Sequence, residues 1–265
     1  RLHLRYSPIE KSALRLTFGK GYRVANIFAE NTNILISSRE IIIEDELQPE
    51  VGWNFGTSFT QRFELADRPG TFIVDFYHTR FENQVVLDLD QATDKAFFYN
   101  LDGRSFSNSF QVELMYDLLD NFELKAAYKF NDTRTTFNGS FRRMLFVPTH
   151  LGHFSLNYET PNLQWMFDAT LHLQGRGRLP DGYTGSEGRI VDGFSPVFPA
   201  LSAQITKRWE RFELYVGAEN ITGFTQEDPI LGTDDPFGNQ FDASSAWGPV
   251  FGQRVYAGIR LRIPR

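Results

Sequence analysis

The stretch Phe122-Glu-Leu-Lys-Ala-Ala-Tyr-Lys-Phe130 alternates in polarity along its length. Phe122, Leu124, Ala126, Tyr128 and Phe130 fall on one face, and Glu123, Lys125 and Lys129 on the other. A period of two marks a strand whose two faces meet different media. About eleven such stretches follow one another, at roughly 1–8, 12–23, 51–65, 71–90, 96–119, 122–138, 151–160, 164–178, 198–210, 212–224 and 252–263. Trp53, Phe55, Phe59, Phe63 and Leu65 oppose Asn54, Ser58, Arg62 and Glu64. Trp165, Phe167, Ala169, Leu171 and Leu173 oppose Asp168, Thr170, His172 and Gln174. Near the end, Val255, Ala257, Ile259, Leu261 and Ile263 oppose Arg254, Tyr256, Arg260 and Arg262. Burying Arg260 beside Arg262 in a dry core would be very costly, and a water-filled lumen removes the difficulty. The pattern predicts an all-β, antiparallel, up-and-down transmembrane β-barrel, hence a channel or transporter rather than a soluble enzyme.

Composition agrees. Aromatics make up 15% of the 265 residues, with 26 Phe, yet 23% of residues are charged. A barrel reconciles the two, because only alternate residues touch lipid. No stretch approaches the roughly 20 apolar residues of a transmembrane helix. A soluble β-sandwich or sugar-binding domain is the alternative that such Phe and Tyr content leaves open. The absence of Cys excludes disulfides, thiol catalysis and Cys-built zinc sites. Net charge is −6, and the acids concentrate in two segments. Residues 24–50 hold Glu30, Glu40, Glu44, Asp45, Glu46 and Glu50 against Arg39 alone; 226–242 hold Glu227, Asp228, Asp234, Asp235 and Asp242 without a base. Neither suits a nucleic-acid surface.

The connections sort by length. Short ones fall at 7–12, 66–70, 119–121, 160–162 and 209–211, with Pro, Gly, Asn and Asp as turn residues. Long ones fall at 24–50, 139–150, 179–197 and 225–251. The tight connection near 91–95 fits the alternation only when it is counted as an outer loop carried far out by its long flanking strands. Short turns of such barrels face the periplasm and long loops face outside, so the last strand runs inward. An even strand number is the rule for bacterial single-chain barrels, and eleven is half of the 22 strands of plugged outer-membrane transporters. The chain shows no signal peptide and opens already alternating, on Arg1-Leu-His-Leu-Arg-Tyr6. We therefore expect residues 1–265 to be the C-terminal half of a barrel domain, with plug domain and signal peptide outside this chain.

Several segments resemble the TonB-dependent receptor family, with the flavour of its Bacteroidota members. Leu14-Arg-Leu-Thr-Phe-Gly-Lys-Gly-Tyr-Arg23 is similar to the family's strand ending in Gly-x-Gly-aromatic-Arg, although Val24-Ala25-Asn26 replaces the usual Ala-Pro. Leu47-Gln-Pro-Glu50 with Trp53-Asn-Phe-Gly56 resembles the start of the next strand. Tyr99-Asn-Leu-Asp-Gly103 with Ser109-Phe-Gln-Val-Glu-Leu114, Val147-Pro-Thr-His150, and Gly217-Ala-Glu-Asn-Ile221 match three further family patterns in order. The ending Ile263-Pro264-Arg265 departs from the family's terminal aromatic. The resemblance implies active uptake, across the bacterial outer membrane, of a scarce bulky nutrient: a ferric siderophore, haem, cobalamin, a metal chelate or a glycan. It implies a TonB complex acting through the plug, contact with outer-membrane lipids and lipopolysaccharide, a small-molecule or metal-chelate ligand, and leaves a surface lipoprotein open. A passive channel or a barrel-borne adhesin is the rival reading.

No H-E-x-x-H, G-x-S-x-G or phosphate-binding loop occurs, so neither an enzyme nor a cofactor is expected. Arg23, Asn26, Arg176, Arg178, Phe237, Phe241 and Trp247, in or beside the long loops, are candidate ligand contacts, with Arg189 in the third loop; loop-against-loop packing is the plain alternative for the aromatics. Arg62, Glu64, Asp168, Arg260 and Arg262 are expected to face the lumen, together with Arg15, Asp75, Glu113, Glu123 and Lys125. Asp234, Asp235 and Asp242 with Asn239 supply hard oxygen ligands that could hold a divalent cation, but at no EF-hand spacing. His150-x-x-His153 at a strand start points its members to opposite faces, which argues against a metal pair. Tyr6, Tyr22, Trp53, Trp165 and Trp209 read as interfacial girdles.

Overall fold

The computed structural model describes residues 1–44, 46–182 and 193–262, so Asp45, Arg189 and the terminal Ile263-Pro264-Arg265 lie outside the described residues. In chain order the elements are β1 (Leu2–Tyr6), β2 (Ser12–Arg23), α1 (Ile27–Glu30), a 3-10 helix (Thr32–Ile36), β3 (Glu40–Ile43), β4 (Glu50–Leu65), β5 (Arg68–Asn83), β6 (Val85–Asp88) and β7 (Lys95–Asn100). They continue with β8 (Ser105–Leu119), β9 (Phe122–Phe137), β10 (Ser140–Arg143), β11 (His150–Glu159), β12 (Trp165–Gln174), β13 (Phe198–Arg208), β14 (Phe212–Glu219) and β15 (Arg254–Leu261). A 12-stranded sheet runs β1-β2-β4-β5-β8-β9-β11-β12-β13-β14-β15, with β10 pairing only β9. Every pairing in it is antiparallel and joins strands adjacent along the path, as an up-and-down barrel wall requires. A second sheet, β3-β7-β6, stands apart.

Register carries the alternation across the wall. Residues opposite each other in an antiparallel pair share a face. One row reads Tyr6, Leu14, Phe59, Val74, Val112 and Tyr128 from strand to strand. Another reads Phe122, Tyr158, Phe167, Ile205, Val216 and Ala257. On the other face Arg15, Ser58, Asp75, Gln111 and Lys129 are aligned. Glu123, Asn157, Asp168, Gln204, Gly217 and Tyr256 follow in the same way. The apolar face is uncovered even on strands paired on both sides: Phe154 is 44%, Ile205 47% and Val216 57% exposed. Such a face is stable against hydrocarbon, not water. Trp165–Leu173 rises about 3.3 Å per residue, or about 26 Å along the strand, close to the height of a lipid-facing band.

Arg62 lies opposite Thr71 and Glu64 opposite Pro69 on the polar face, and Glu64 pairs at 3.7 Å with Lys11 of the β1–β2 turn. Arg260 and Arg262 converge with Arg208 on Glu213, which is 1% exposed; Arg208 Nε and Arg260 Nη1 each donate at 2.9 Å. One carboxylate thus compensates a cluster that a dry core could not hold.

Connections alternate in length throughout. Residues 7–11, 66–67, 120–121, 160–164 and 209–211 are short, and 24–49, 84–104, 138–149, 175–197 and 220–253 are long. The strands read at 71–90 and 96–119 are not continuous: β5 gives way to β6, and β7 to β8, and the detached pieces join β3 in the second sheet. The break at 101–104 contains Gly103 at φ +127°, where a Cβ would lie 2.5 Å from Thr136 Oγ1. Alternation runs on through the break because β6 and β7 are also one-sided, so periodicity alone does not show the change of sheet. Likewise 24–50, read as loop, holds α1, the 3-10 helix and β3, each too short to leave a period. Residues 138–143 form a hairpin on the end of β9 through Asn138 (φ 41°) and Gly139 (φ 78°), the usual chemistry of a two-residue turn.

The face assignment has a direct test. Leu171, on the apolar face opposite Phe154 and Leu201, replaced by Arg should destabilise the barrel by about 2–4 kcal/mol. Asp168→Asn should stay within about 0.5 kcal/mol. Urea unfolding of the full-length protein in lipid vesicles measures both; wild-type stability for Leu171→Arg would reverse the faces.

Candidate ligand mouth

The long connections fold together into a layer with a core of its own. Ile27, Ile34, Leu89, Ala96 and Phe98 form one buried cluster, backed by Ile41, Leu47, Val85, Leu87, Leu145 and Phe146. Val86, Tyr99 and Phe137 form a second. Asp88, wholly buried, accepts from Tyr99 Oη at 2.8 Å, Gln91 Nε2 at 3.0 Å and the Asp90 N–H at 2.8 Å. Burial, then the hydrogen bond to Asp88, push the Tyr99 phenol well above its ordinary pKa.

Two ionic clusters lock the layer. Asp90 meets Arg178 at 2.9 Å and Arg142 at 3.3 Å, while Arg142 also forks onto Asp181 at 2.6 and 2.7 Å. Three connections, 84–104, 138–149 and 175–197, are thereby tied at one point. The second cluster joins loops from opposite ends of the sheet path. Arg39 meets Asp242 at 3.0 Å with both side chains 7% exposed, and its Nη1 donates to the carbonyls of Ala92 (3.2 Å) and Lys95 (3.1 Å). Around this pair the Ser38 N–H donates to the Phe241 carbonyl at 2.8 Å, the Ala243 N–H to the Ile36 carbonyl at 3.2 Å, and Asn33 Nδ2 to the Ser244 carbonyl at 3.1 Å. Segments 24–49 and 220–253 therefore meet and roof the mouth.

The residues singled out from sequence separate into two groups. Asn26 caps α1: its Oδ1 accepts from the Ala29 N–H at 3.1 Å, and its own N–H donates to Glu30 at 3.0 Å. Arg23 is held by Glu50, Nε to Oε2 at 2.8 Å, and by Glu30 at 3.0 Å, with its side chain more than half exposed. Arg178 is buried: besides Asp90 it donates from Nε to the Arg143 carbonyl at 2.6 Å and lies 4.9 Å over the Phe137 ring. Trp247 packs at 6.2 Å and 6.3 Å on Phe198 and Phe224, which stack at 4.4 Å. Phe241 contributes its carbonyl to the roof. Arg176, over the Phe194 ring at 5.1 Å, and Phe237, fully exposed at a loop tip, remain on the surface.

Asp242 is committed to Arg39 and to Ser244 (N–H at 2.7 Å, Oγ at 2.6 Å), while Asp234 and Asp235 stand exposed. Among the described residues no three His, Cys, Asp or Glu side chains are placed to hold a metal ion. His150 and His153 part as their spacing implies: His150 bonds Tyr128 Oη at 2.7 Å on the apolar face, and His153 meets His172 on the polar one. Sequence reasoning missed the roles of Asp90, at the end of a stretch read as one continuous strand, of Arg142, on the four-residue β10, and of Asp181, in a loop. Arg39 carried a signal, as the one base in an acidic segment.

Arg39→Ala strands the buried Asp242 carboxylate and should cost about 3–5 kcal/mol of local stability. Limited proteolysis should then cut 24–49 and 220–253 while the wall stays intact, and Arg39→Met with Asp242→Leu should restore protection. The hydrogen bonds from Arg142 hold the Asp181 carboxyl below the usual range, against desolvation. That contribution is present above the ordinary carboxylate pKa of about 3.9 and lost as pH falls through the lowered folded value. Hydrogen exchange near residue 181 should be constant from neutral pH to about 5 and rise, beyond its intrinsic pH dependence, only below about 4.

Comparison with known proteins fits this geometry. The family model described as TonB dependent receptor-like, beta-barrel matches residues 1–221. Among solved structures, the ferric enterobactin receptor PfeA of Pseudomonas aeruginosa aligns over 97% of this chain and 39% of its own, at 12% identity and TM-score 0.60. The FrpB iron transporter of Neisseria meningitidis aligns over 96% and 37%, at 11% identity and TM-score 0.63. The copper transporter OprC aligns over 96% and 38%, at 13% identity and TM-score 0.68. The chain thus spans well under half the length of these structures, and no curated protein sequence matches it. With the eleven-strand wall, its two-faced register and the matched family model, the chain belongs to the TonB-dependent receptor β-barrel family of the bacterial outer membrane.

Proposed function

We propose that this chain is the C-terminal half of the barrel of a TonB-dependent transporter that takes up a scarce metal chelate. The roof joined by Arg39 and Asp242 carries the reading: a simple pore gains nothing from a buried ionic tie across its mouth, whereas a gated receptor needs an ordered outer surface. The exposed layer presents Glu44, Glu46, Glu227, Asp234 and Asp235, with Phe237 among them. That field attracts a cationic or neutral chelate and repels an anionic ferric siderophore. Iron, copper and ferric enterobactin in the names of the structural neighbours support a metal-bearing ligand without choosing its charge. The polar face, with Arg62, Glu64, Asp168, Arg260 and Arg262, lines the path and bonds the plug, through which the TonB complex acts. Lipids and lipopolysaccharide surround the wall, and a surface lipoprotein is a further partner to seek.

Uptake of radiolabelled metal chelates by cells producing the full-length protein tests this, with and without TonB. The expected result is accumulation that falls to background without TonB. Accumulation independent of TonB would make the protein a passive channel, and surface binding without uptake an adhesin. Phe237→Ala should weaken chelate binding about tenfold, near 1.4 kcal/mol, and leave barrel assembly unchanged.

A further inference from the structure

Beyond the mouth, the polar face of the wall holds a pair of imidazoles that neither the transport reading nor the loop packing uses. His153 on β11 lies opposite His172 on β12. The ladder bonds at either end, Gly175 N–H to the His150 carbonyl and Thr160 N–H to the Trp165 carbonyl, put the hydrogen-bonded pairs at even positions of β11. His153 and His172 therefore occupy a non-hydrogen-bonded pair, where cross-strand side chains approach most closely. Their ring centroids are 4.8 Å apart and the two Nδ1 atoms 3.4 Å apart. That separation exceeds the usual 2.7–3.2 Å or so of an N–H hydrogen bond. It matches the edge of a tetrahedral zinc site: two nitrogens each about 2.05 Å from one ion lie about 3.3 Å apart.

We propose that His153 and His172 form a two-imidazole binding site for a divalent cation of the zinc and copper class. The pair opens into a recess of about 400 Å³ lined also by Gln111, Glu113, Lys125 and Lys129, so water completes the coordination. Glu113 lies on the same cross-strand row, with only Ala127 between it and His153. Lys125 is compensated by Glu113 at 3.6 Å, and Lys129 adds one positive charge to the rim. Coordination by nitrogen, not the local field, selects the ion, which excludes calcium and magnesium. The cross-strand tie would also staple β11 to β12.

The test uses the full-length receptor in detergent, purified without a histidine tag. Titration with zinc chloride should show a site that weakens at least tenfold in His153→Ala and in His172→Gln, but not in His78→Ala. Copper(II) bound to the wild type should give an electron paramagnetic resonance spectrum with two nitrogen ligands, and zinc should raise the unfolding temperature of the wild type alone. Equal zinc affinity in all variants, or a wild-type copper spectrum without paired nitrogen coupling, would overturn the site. The copper spectrum decides the matter even where a variant fails to assemble.

Discussion

Every backbone N–H and C=O at membrane depth must find a partner within the protein, because hydrocarbon offers none. The antiparallel wall from β1 to β15 meets this demand for every strand between its two open edges, and most other features follow from it. A ladder fixes register, and register fixes which side chains share a face. A one-residue slip would move Asp168 and Arg260 onto the apolar face and Phe167 and Ile259 onto the polar one. The chemistry of each row therefore protects the hydrogen bonding that creates it.

The same constraint explains where the buried core lies. The wall is one layer thick, so its apolar residues meet lipid rather than one another and stay open in the protein itself. Buried hydrophobic side chains collect instead in the outer layer, in Ile34, Val86, Leu89, Ala96, Phe98 and Leu179. That layer lies in water and is stabilised in the manner of a soluble domain, by apolar burial and by ion pairs shielded from solvent. Because its segments come from strands far apart in the wall, Arg39–Asp242 and Arg178–Asp90 do what chain connectivity cannot.

This division marks what the sequence could reveal. Strand faces were legible because each wall residue answers to one of two media, and a period of two records the choice. The alternation of short and long connections was legible for the same reason: turns such as Ala66-Asp67 and Asn121 sit where the apolar run must end. The outer layer was not, since β3, β6 and β7 are four to six residues long and their partners are set by tertiary contacts. The candidate ligand residues divide the same way. Arg178 and Arg176 look alike two positions apart, yet one is buried on Asp90 and the other lies on the surface. The His153–His172 pair shows the limit in another form. Alternation places each His on the polar face of its strand, but only register brings together residues 19 apart.

Strand length connects the two regimes. About 9–11 residues cross a bilayer, and β11 and β12 have 10 each, whereas β4, β5 and β9 have 16 and β8 has 15. The surplus of about five residues, at about 3.3 Å each, lifts the outer ends of those four strands well above their neighbours. The second sheet is attached there, and β6 and β7 are the continuations of β5 and β8 after a break. On the opposite flank, β14 and β15 have 8 residues each and the connection 220–253 starts low. It must climb to reach Arg39, and Gln226, buried and accepting from the Trp247 N–H at 2.7 Å and the Gly248 N–H at 3.0 Å, holds its two limbs together as it does so. The mouth is thus a tall, rigid rampart on one side and a strap drawn across from the other. The strap is fastened in two places, at Asp242 through Arg39 and at Trp247, which packs on Phe198 of β13 and accepts at its carbonyl from Gln174 Nε2 at 3.3 Å.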